Sequence, residues 1–178
     1  MLRTILTYGV AAGLIVGVAL SLVTIFTYGQ FSNTAGMTIG YLIMLVGLTA
    51  VFLGIKHRRD VDGGGVIRFW PALGVGLAIS AVAGVVYVIA WDVSCAIAGM
   101  DFGGDYARSM VKQAQAKGLS GAAMAKAAAE AEAFRRQYAD PLFRWPMTFV
   151  EIFPVGVLVS LISAAVLRNP RVLPARAG

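Results

Sequence analysis

The sequence predicts an all-α integral membrane protein: four transmembrane helices, with an extracytoplasmic helical hairpin between spans three and four. Of the 178 residues, 58% are hydrophobic and only 13% are charged, whereas soluble domains carry about 25% charged residues. Long stretches carry no charged side chain, and uncharged apolar runs of roughly 20 residues can cross a bilayer as helices. One polar insert interrupts these stretches in the second half. We expect a single membrane domain over residues 1–178.

The first uncharged stretch accounts for spans one and two. It runs from Thr4 to Ile55, which is too long for one helix across a bilayer. A polar segment with glycines at 28–36 divides it, so we place span one at about 5–27 and span two at about 37–55. The start also resembles a signal peptide, but the apolar run exceeds the usual length of such a segment. We therefore expect an uncleaved first span.

The remaining elements follow a short charged turn that begins at Lys56. Span three is predicted at about 69–91, with Pro71 in its first turn, where proline is tolerated. Residues 92–144 are rich in Ala, Lys, Glu and Arg, which favour helix, and their apolar spacing predicts two amphipathic helices. Span four follows at about 145–167.

The distribution of lysine and arginine predicts the orientation. The two termini and the turn between spans two and three share one side, with eight basic residues against two acidic ones. The other side carries seven of each. Both termini are therefore predicted to be cytoplasmic. Trp70 lies where an inner aromatic belt is expected, and Trp91 and Trp145 where an outer one is expected. Topology and attraction to the lipid bilayer explain the basic side, so we expect no nucleic-acid partner.

Small residues recur every four positions in three of the spans. The stripes are Gly9, Gly13 and Gly17; Gly76, Ser80 and Gly84; and Gly156, Ser160 and Ala164. Such stripes let helices approach closely. We expect them to pack the spans of this chain against one another, with spans one and three meeting through their stripes. Self-association through the same stripes is the alternative.

Glu151 is the candidate polar site inside a span. Pro154 follows it and denies the carbonyl of Val150 its helical hydrogen bond, so a carboxylate and a freed carbonyl would form a polar notch. Such a notch suits a proton, a cation, a lipid or a peptide. The alternative is an interfacial carboxylate that pairs with Arg144, two turns earlier. Asp92, at the outer end of span three, could form an acid pair with Glu151.

The residues of known catalytic and metal sites are scarce in this chain. The single cysteine, Cys95, cannot form an intramolecular disulfide, and the single histidine, His57, excludes a histidine-rich metal site. The glycines at 63–65 lack the phosphate-loop pattern, and the common hydrolase and metalloprotease motifs are missing. We therefore expect no metal, no cofactor and no enzymatic activity. The alternative is a membrane enzyme that acts on a lipid or lipid-linked substrate at the outer face. It would need Asp92, Asp101 and Glu151 to converge with Arg108 or Arg144.

Several segments resemble one bacterial membrane protein family. The most specific are FLGIK followed by RD and GGVI in the charged turn, and PLFR, MTF and EIFPVG around span four. On these residues the chain resembles the domain-of-unknown-function 4199 family. The resemblance implies a small four-span protein of the bacterial inner membrane, and it offers no established activity or functional residue.

The predicted function is accordingly a non-enzymatic accessory or assembly protein of the inner membrane. Its amphipathic outer hairpin must bury an apolar face against itself, the membrane or another protein. The partners we expect are lipid and either a second membrane protein or further copies of this chain. The alternative function is a small oligomeric transporter or channel that uses Glu151 near Pro154.

Overall fold

The computed structural model describes residues 1–27 and 33–174, and all regular structure in these residues is helical. The helices are α1 (Leu2–Thr27), α2 (Asn33–His57), α3 (Phe69–Ala98), α4 (Phe102–Ala116), α5 (Gly121–Tyr138) and α6 (Pro141–Leu167). A π-helical turn at Arg58–Asp62 continues α2. The all-helical class is confirmed.

Four of these helices are long and apolar enough to cross a membrane. The stretches are Leu2–Phe26, Ala35–Asp62, Phe69–Ala98 and Pro141–Leu167. These four long apolar helices coincide with the four predicted spans but are longer: α3 continues to Ala98, and α6 begins at Pro141. The backbone hydrogen bonds of α3 and α6 continue beyond their apolar segments, because the thickness of a bilayer does not limit the length of a helix. Of the predicted break at 28–36, residues 28–32 lie outside the described residues, and the rest belongs to α2.

The chain divides into two compact units. The first, here the bundle unit, comprises Met1–Asp92 and Phe149–Gly178, and the second, here the insert unit, comprises Val93–Thr148. The core of the bundle unit consists of small and aliphatic side chains. Its fully buried members include Ala12, Val16, Leu48, Val51, Ile55, Ile79, Ala83, Ala164 and Leu167. The outer surface of the same helices is also apolar, with Leu14, Leu45, Val85 and Ile162 exposed. Helices that are apolar on all sides are typical of membrane spans.

The glycine stripe of α1 lies directly against α3. A Cβ added at Gly13 would lie 2.6 Å from the Cβ of Val86, and one at Gly17 would lie 2.5 Å from the Cβ of Ala90. Gly9 meets Val82 in the same way. The three glycines form a groove that receives a ridge of larger side chains.

The stripe of α3 faces α6 instead of α1, which differs from the expected stripe-to-stripe contact of spans one and three. A Cβ at Gly76 would lie 2.8 Å from the Cβ of Ser160, and one at Gly156 would lie 2.7 Å from the Cβ of Ser80. The physical reason is that a groove packs best against a ridge. On the α3–α6 contact, Gly76 receives Ser160 and Gly156 receives Ser80, while Gly84 receives the ring of Phe149.

One polar contact lies inside this contact of α3 and α6. The hydroxyls of Ser80 and Ser160 are 3.2 Å apart, and Ser160 also donates to the carbonyl of Gly156 at 2.7 Å. Ser80→Ala removes one hydrogen bond and leaves Ser160 satisfied. We therefore expect a loss of only about 0.6 kcal/mol in the free energy of unfolding, the average for such bonds between membrane helices. Unfolding in mixed micelles measures it, and a loss above about 2 kcal/mol would show a larger role for this contact.

In the insert unit, α4 and α5 pack against each other through aromatic side chains. The rings of Tyr106 and Phe134 are 4.9 Å apart, and those of Phe102 and Tyr138 are 5.3 Å apart. Asp101 begins α4, because its carboxylate accepts the backbone N–H of Gly104 at 3.0 Å. The aromatic rings supply the apolar volume that the alanine-rich faces lack.

Candidate polar site at Tyr87 and Glu151

The structure divides the predicted polar residues between the two units. Asp92, Glu151 and Pro154 belong to the bundle unit, and Arg144 belongs to the insert unit. There, the Arg144 guanidinium donates to the carbonyl of Tyr138 at 3.2 Å and lies over its ring, 5.8 Å from the centroid. Part of the hydrogen-bonding capacity of Arg144 is therefore used within its own unit.

Glu151 has a partner that sequence analysis missed. The hydroxyl of Tyr87, on α3, donates to Oε2 of Glu151 at 3.5 Å, a long hydrogen bond. Tyr87 is buried, with 3% of its surface exposed, while Glu151 is exposed. In the sequence, Tyr87 is marked only by its hydroxyl inside an apolar span. A buried tyrosine hydroxyl usually has a hydrogen-bond partner, so this position could have been expected to have one.

Glu151 lies on the outward face of α6. The buried face of this helix contains Ile152, Gly156, Ser160 and Ala164. The outward face, here the Glu151 face, consists of Val150, Glu151, Pro154, Leu158, Leu161 and Ile162, all of them exposed. Apart from the carboxylate, the side chains of this face are apolar. The bundle unit therefore presents one acid on an otherwise lipid-compatible surface.

The depth of Glu151 follows from helix geometry. Along α6, Glu151 lies about 24 Å from Leu167 at 1.5 Å per residue. The hydrocarbon core of a bilayer is about 30 Å thick. If Leu167 marks one boundary of that core, Glu151 lies just inside the other. A carboxylate at this depth needs water, a headgroup or a polar partner.

The backbone adds a second acceptor to the Glu151 face. Pro154 has no N–H to donate to the carbonyl of Val150, which lies beside Glu151 on the same face. Ionised carboxylates and backbone carbonyls only accept hydrogen bonds. The site is therefore a patch of hydrogen-bond acceptors, here the acceptor patch. It suits a hydrogen-bond donor, such as an ammonium, a guanidinium or an amide N–H, or else a cation.

Two further acids considered from sequence, Asp92 and Asp101, lie in different units. In residues 1–27 and 33–174, the structure places no group of three or more His, Cys, Asp or Glu side chains where they could hold a metal. Asp101 is a helix cap in the insert unit. Asp92 is half-buried towards the end of α3.

A second polar network lies where α2 ends and the chain leaves α6, and sequence analysis missed its central residue. Arg59 is fully buried, although it stands in a charged turn. Its Nη1 donates to the carbonyl of Val172 at 2.8 Å, and its Nη2 donates to that of Leu173. Its Nε donates to Asp60 at 2.7 Å, and Lys56 pairs with the same carboxylate. Arg59 thus ties the segment after α6 to the end of α2.

Four long apolar helices with an apolar outer surface indicate a multi-pass helical membrane protein. Over residues 9–169 the chain matches the family model described as "Protein of unknown function (DUF4199)", and it belongs to that family. The resemblance noted from the sequence is confirmed. No curated protein and no solved structure matches the chain.

Proposed function

We propose that this protein is a non-enzymatic accessory or assembly protein of the bacterial inner membrane, which binds a partner membrane protein through the Glu151 face. In this proposal both termini are cytoplasmic and the insert unit is extracytoplasmic. The observation that carries the proposal is the exposed position of Glu151 on an apolar helix face. An unsatisfied charge facing lipid is costly: about 2.5–3.5 kcal/mol for an aspartate at the centre of a span, and less near its end, where Glu151 lies.

The contacts of Glu151 leave room for a donor from outside the chain. A carboxylate offers about four acceptor positions, and the Tyr87 hydroxyl occupies one of them at 3.5 Å. The carbonyl of Val150 adds a further acceptor beside it. A transmembrane helix with an arginine, lysine, asparagine or glutamine at this depth would satisfy the patch, while its apolar side chains pack on Leu158 and Ile162.

The composition of the Glu151 face favours a different protein over a second copy. In a two-fold symmetric dimer, the same patch meets itself. The Glu151 face carries a carboxylate and no basic side chain. Two copies that met through this face would bring two acids together in a medium of low dielectric constant, which is unfavourable.

The insert unit has the surface of a water-exposed element, which supports its placement outside the membrane. On α5, Lys126 pairs with Glu130 at 3.9 Å, and Arg135 pairs with Glu132 at 3.6 Å. All four side chains are about half exposed or more. Exposed ion pairs at helical spacing are typical of helices in water.

Photo-crosslinking in native membranes tests the proposal. A photoreactive amino acid at Leu158 should give one discrete adduct with another protein. Glu151→Gln should reduce that adduct about tenfold, because the loss of a charge-assisted hydrogen bond costs about 1.5 kcal/mol or more. Glu132→Gln, an exposed acid in the insert unit, is the matched control. The photoreactive group at Leu45, on the exposed face of α2, controls for chance collisions.

Three outcomes contradict the proposal. One is an adduct at Leu158 that Glu151→Gln leaves unchanged. Another is an adduct with lipid alone. The third is an adduct whose mass equals two copies of this chain, which would favour a homo-oligomer instead.

The acceptor patch also supports the alternative of a small oligomeric transporter or channel. A carboxylate beside a carbonyl with no helical donor can bind a cation or carry a proton. In that case, purified protein in vesicles would conduct cations or protons without a partner. Glu151→Gln would abolish this flux while the protein stays folded.

A further inference from the structure

A cleft of about 380 Å³ lies between the start of α1, the turn after α2 and the start of α3. Most of its wall is apolar, from side chains that include Ile5, Ile67, Pro71, Val75 and Ala78. Its volume falls at the lower end of the about 300–1,000 Å³ found for ligand pockets. The cleft lies within the bundle unit and is separate from the Glu151 face.

Charged side chains mark one end of the cleft. Arg58 and Asp62 both line it, and they form an ion pair with each other. Their side chains are 32% and 37% exposed, so the pair can be reached from outside. A guanidinium has five N–H donors in a fixed fork, more than one carboxylate can satisfy. At the mouth of the cleft, Arg58 therefore keeps N–H donors beyond those that Asp62 can accept.

Two glycine positions shape the cleft. Gly63 comes so close to the backbone carbonyls of Val66 and Arg59 that no side chain fits there, and the next two glycines have positive φ angles of +59° and +87°. This tight turn places Arg58 and Asp62 at the mouth. Gly74 lines the cleft, and a Cβ added to it meets no atom within 4 Å. The absence of a side chain at Gly74 keeps the cleft open.

We propose that this cleft binds an anionic glycerophospholipid, with one acyl chain along the apolar wall and the phosphate at Arg58. The wall between Pro71 and Ala78 extends about 10 Å along α3. An apolar wall of this length with a guanidinium at its mouth matches an amphiphile better than a soluble anion. Trp70, which is 76% exposed beside Pro71, is the residue type that marks the headgroup level of a membrane. The site thus combines an apolar wall, a guanidinium and an exposed tryptophan next to the lining residue Pro71.

Three substitutions test the two halves of the site separately. Arg58→Gln removes the phosphate ligand, and Gly74→Leu fills the cleft. We expect Arg58→Gln to weaken binding of dioleoylphosphatidylglycerol about fivefold, the effect of about one basic contact near a membrane surface. Gly74→Leu should also weaken it, because the leucine side chain occupies the space of the acyl chain. Asp62→Asn frees the Arg58 guanidinium, so it should leave binding unchanged or strengthen it.

The chain offers matched controls. Gly36→Leu is the same change at another open helical glycine, since a Cβ at Gly36 also meets nothing within 4 Å. Arg168→Gln removes the same charge from an exposed residue that does not line the cleft. Both control variants should bind the lipid as the unchanged protein does.

Native mass spectrometry of the purified full chain measures the binding of each added lipid. The unchanged protein should prefer dioleoylphosphatidylglycerol over dioleoylphosphatidylcholine, and excess inorganic phosphate should not displace the bound lipid. Equal binding of the two lipids overturns the proposal. So does displacement by phosphate, or binding that survives both Arg58→Gln and Gly74→Leu in variants with unchanged helical circular dichroism.

Discussion

Arg59→Met is expected to lower the free energy of unfolding by about 3 kcal/mol, the lower end of the range for removing one partner from a buried ionic pair. Methionine fills similar space but offers no donor to the carbonyls of Val172 and Leu173, which Arg59 now binds. We expect the lower end because the segment after α6 can swing into water and hydrate its carbonyls. That movement should expose the chain at Arg171 to trypsin. Unfolding in mixed micelles and limited proteolysis measure the two effects.

The segment that Arg59 binds contains a residue in an unfavourable backbone conformation. Leu173 has a φ of +47°, in the left-handed region, where a residue with a Cβ costs roughly 1–2 kcal/mol. Such a conformation persists only where surrounding contacts impose it. Arg168→Met, at an exposed arginine on the same segment, is the control. If Arg59→Met keeps the stability and protease resistance of the control, Arg59 is not the anchor.

Gly13→Leu is expected to destabilise the bundle unit by about 3 kcal/mol or more, at the upper end of the cost of overpacking a core. At this position even a Cβ would lie 2.6 Å from that of Val86 and 2.7 Å from the backbone carbonyl of Ala83. A backbone atom cannot rotate away as a flexible side chain can, so α1 must move off α3. Thermal unfolding in detergent, followed by circular dichroism, measures the loss.

The control for Gly13→Leu is the same substitution at Gly36, where space is open. Gly36→Leu should change the stability by less than about 0.5 kcal/mol, as is usual for surface substitutions. If both variants lost the same stability, the cause would be the replacement of a helical glycine by leucine at any position. The close contact of α1 and α3 would then carry little of the stability.

The buried arginine also gives a structural meaning to residues that carry the family resemblance. The segment RD contains Arg59 and Asp60, which bind each other and, through Arg59, the end of the chain. The segment GGVI begins in the glycine turn that places Arg58 and Asp62 at the mouth of the cleft. One short stretch of sequence therefore serves both the anchoring of the C-terminal segment and the shape of the proposed lipid site.

The sequence by itself determined the fold class and the number of long apolar helices. An uncharged run as long as that from Thr4 to Ile55 would expose a large apolar surface to water. In a bilayer the same surface can face the lipid. The helical insert also followed from composition and spacing. The helix ends did not, since α3 and α6 extend past their apolar segments into polar sequence.

Only the tertiary structure decided which residues meet. Arg59 stands in a run of charges that suggests a solvated turn, and its burial depends on carbonyls more than one hundred positions away in sequence. Tyr87 became part of the Glu151 site because α3 packs on α6. The small-residue stripe of α3 contacts α6 and not the stripe of α1, because the packing of whole helices decides which groove meets which ridge. Hydropathy and residue spacing describe each helix separately, whereas these contacts depend on how two helices pack together.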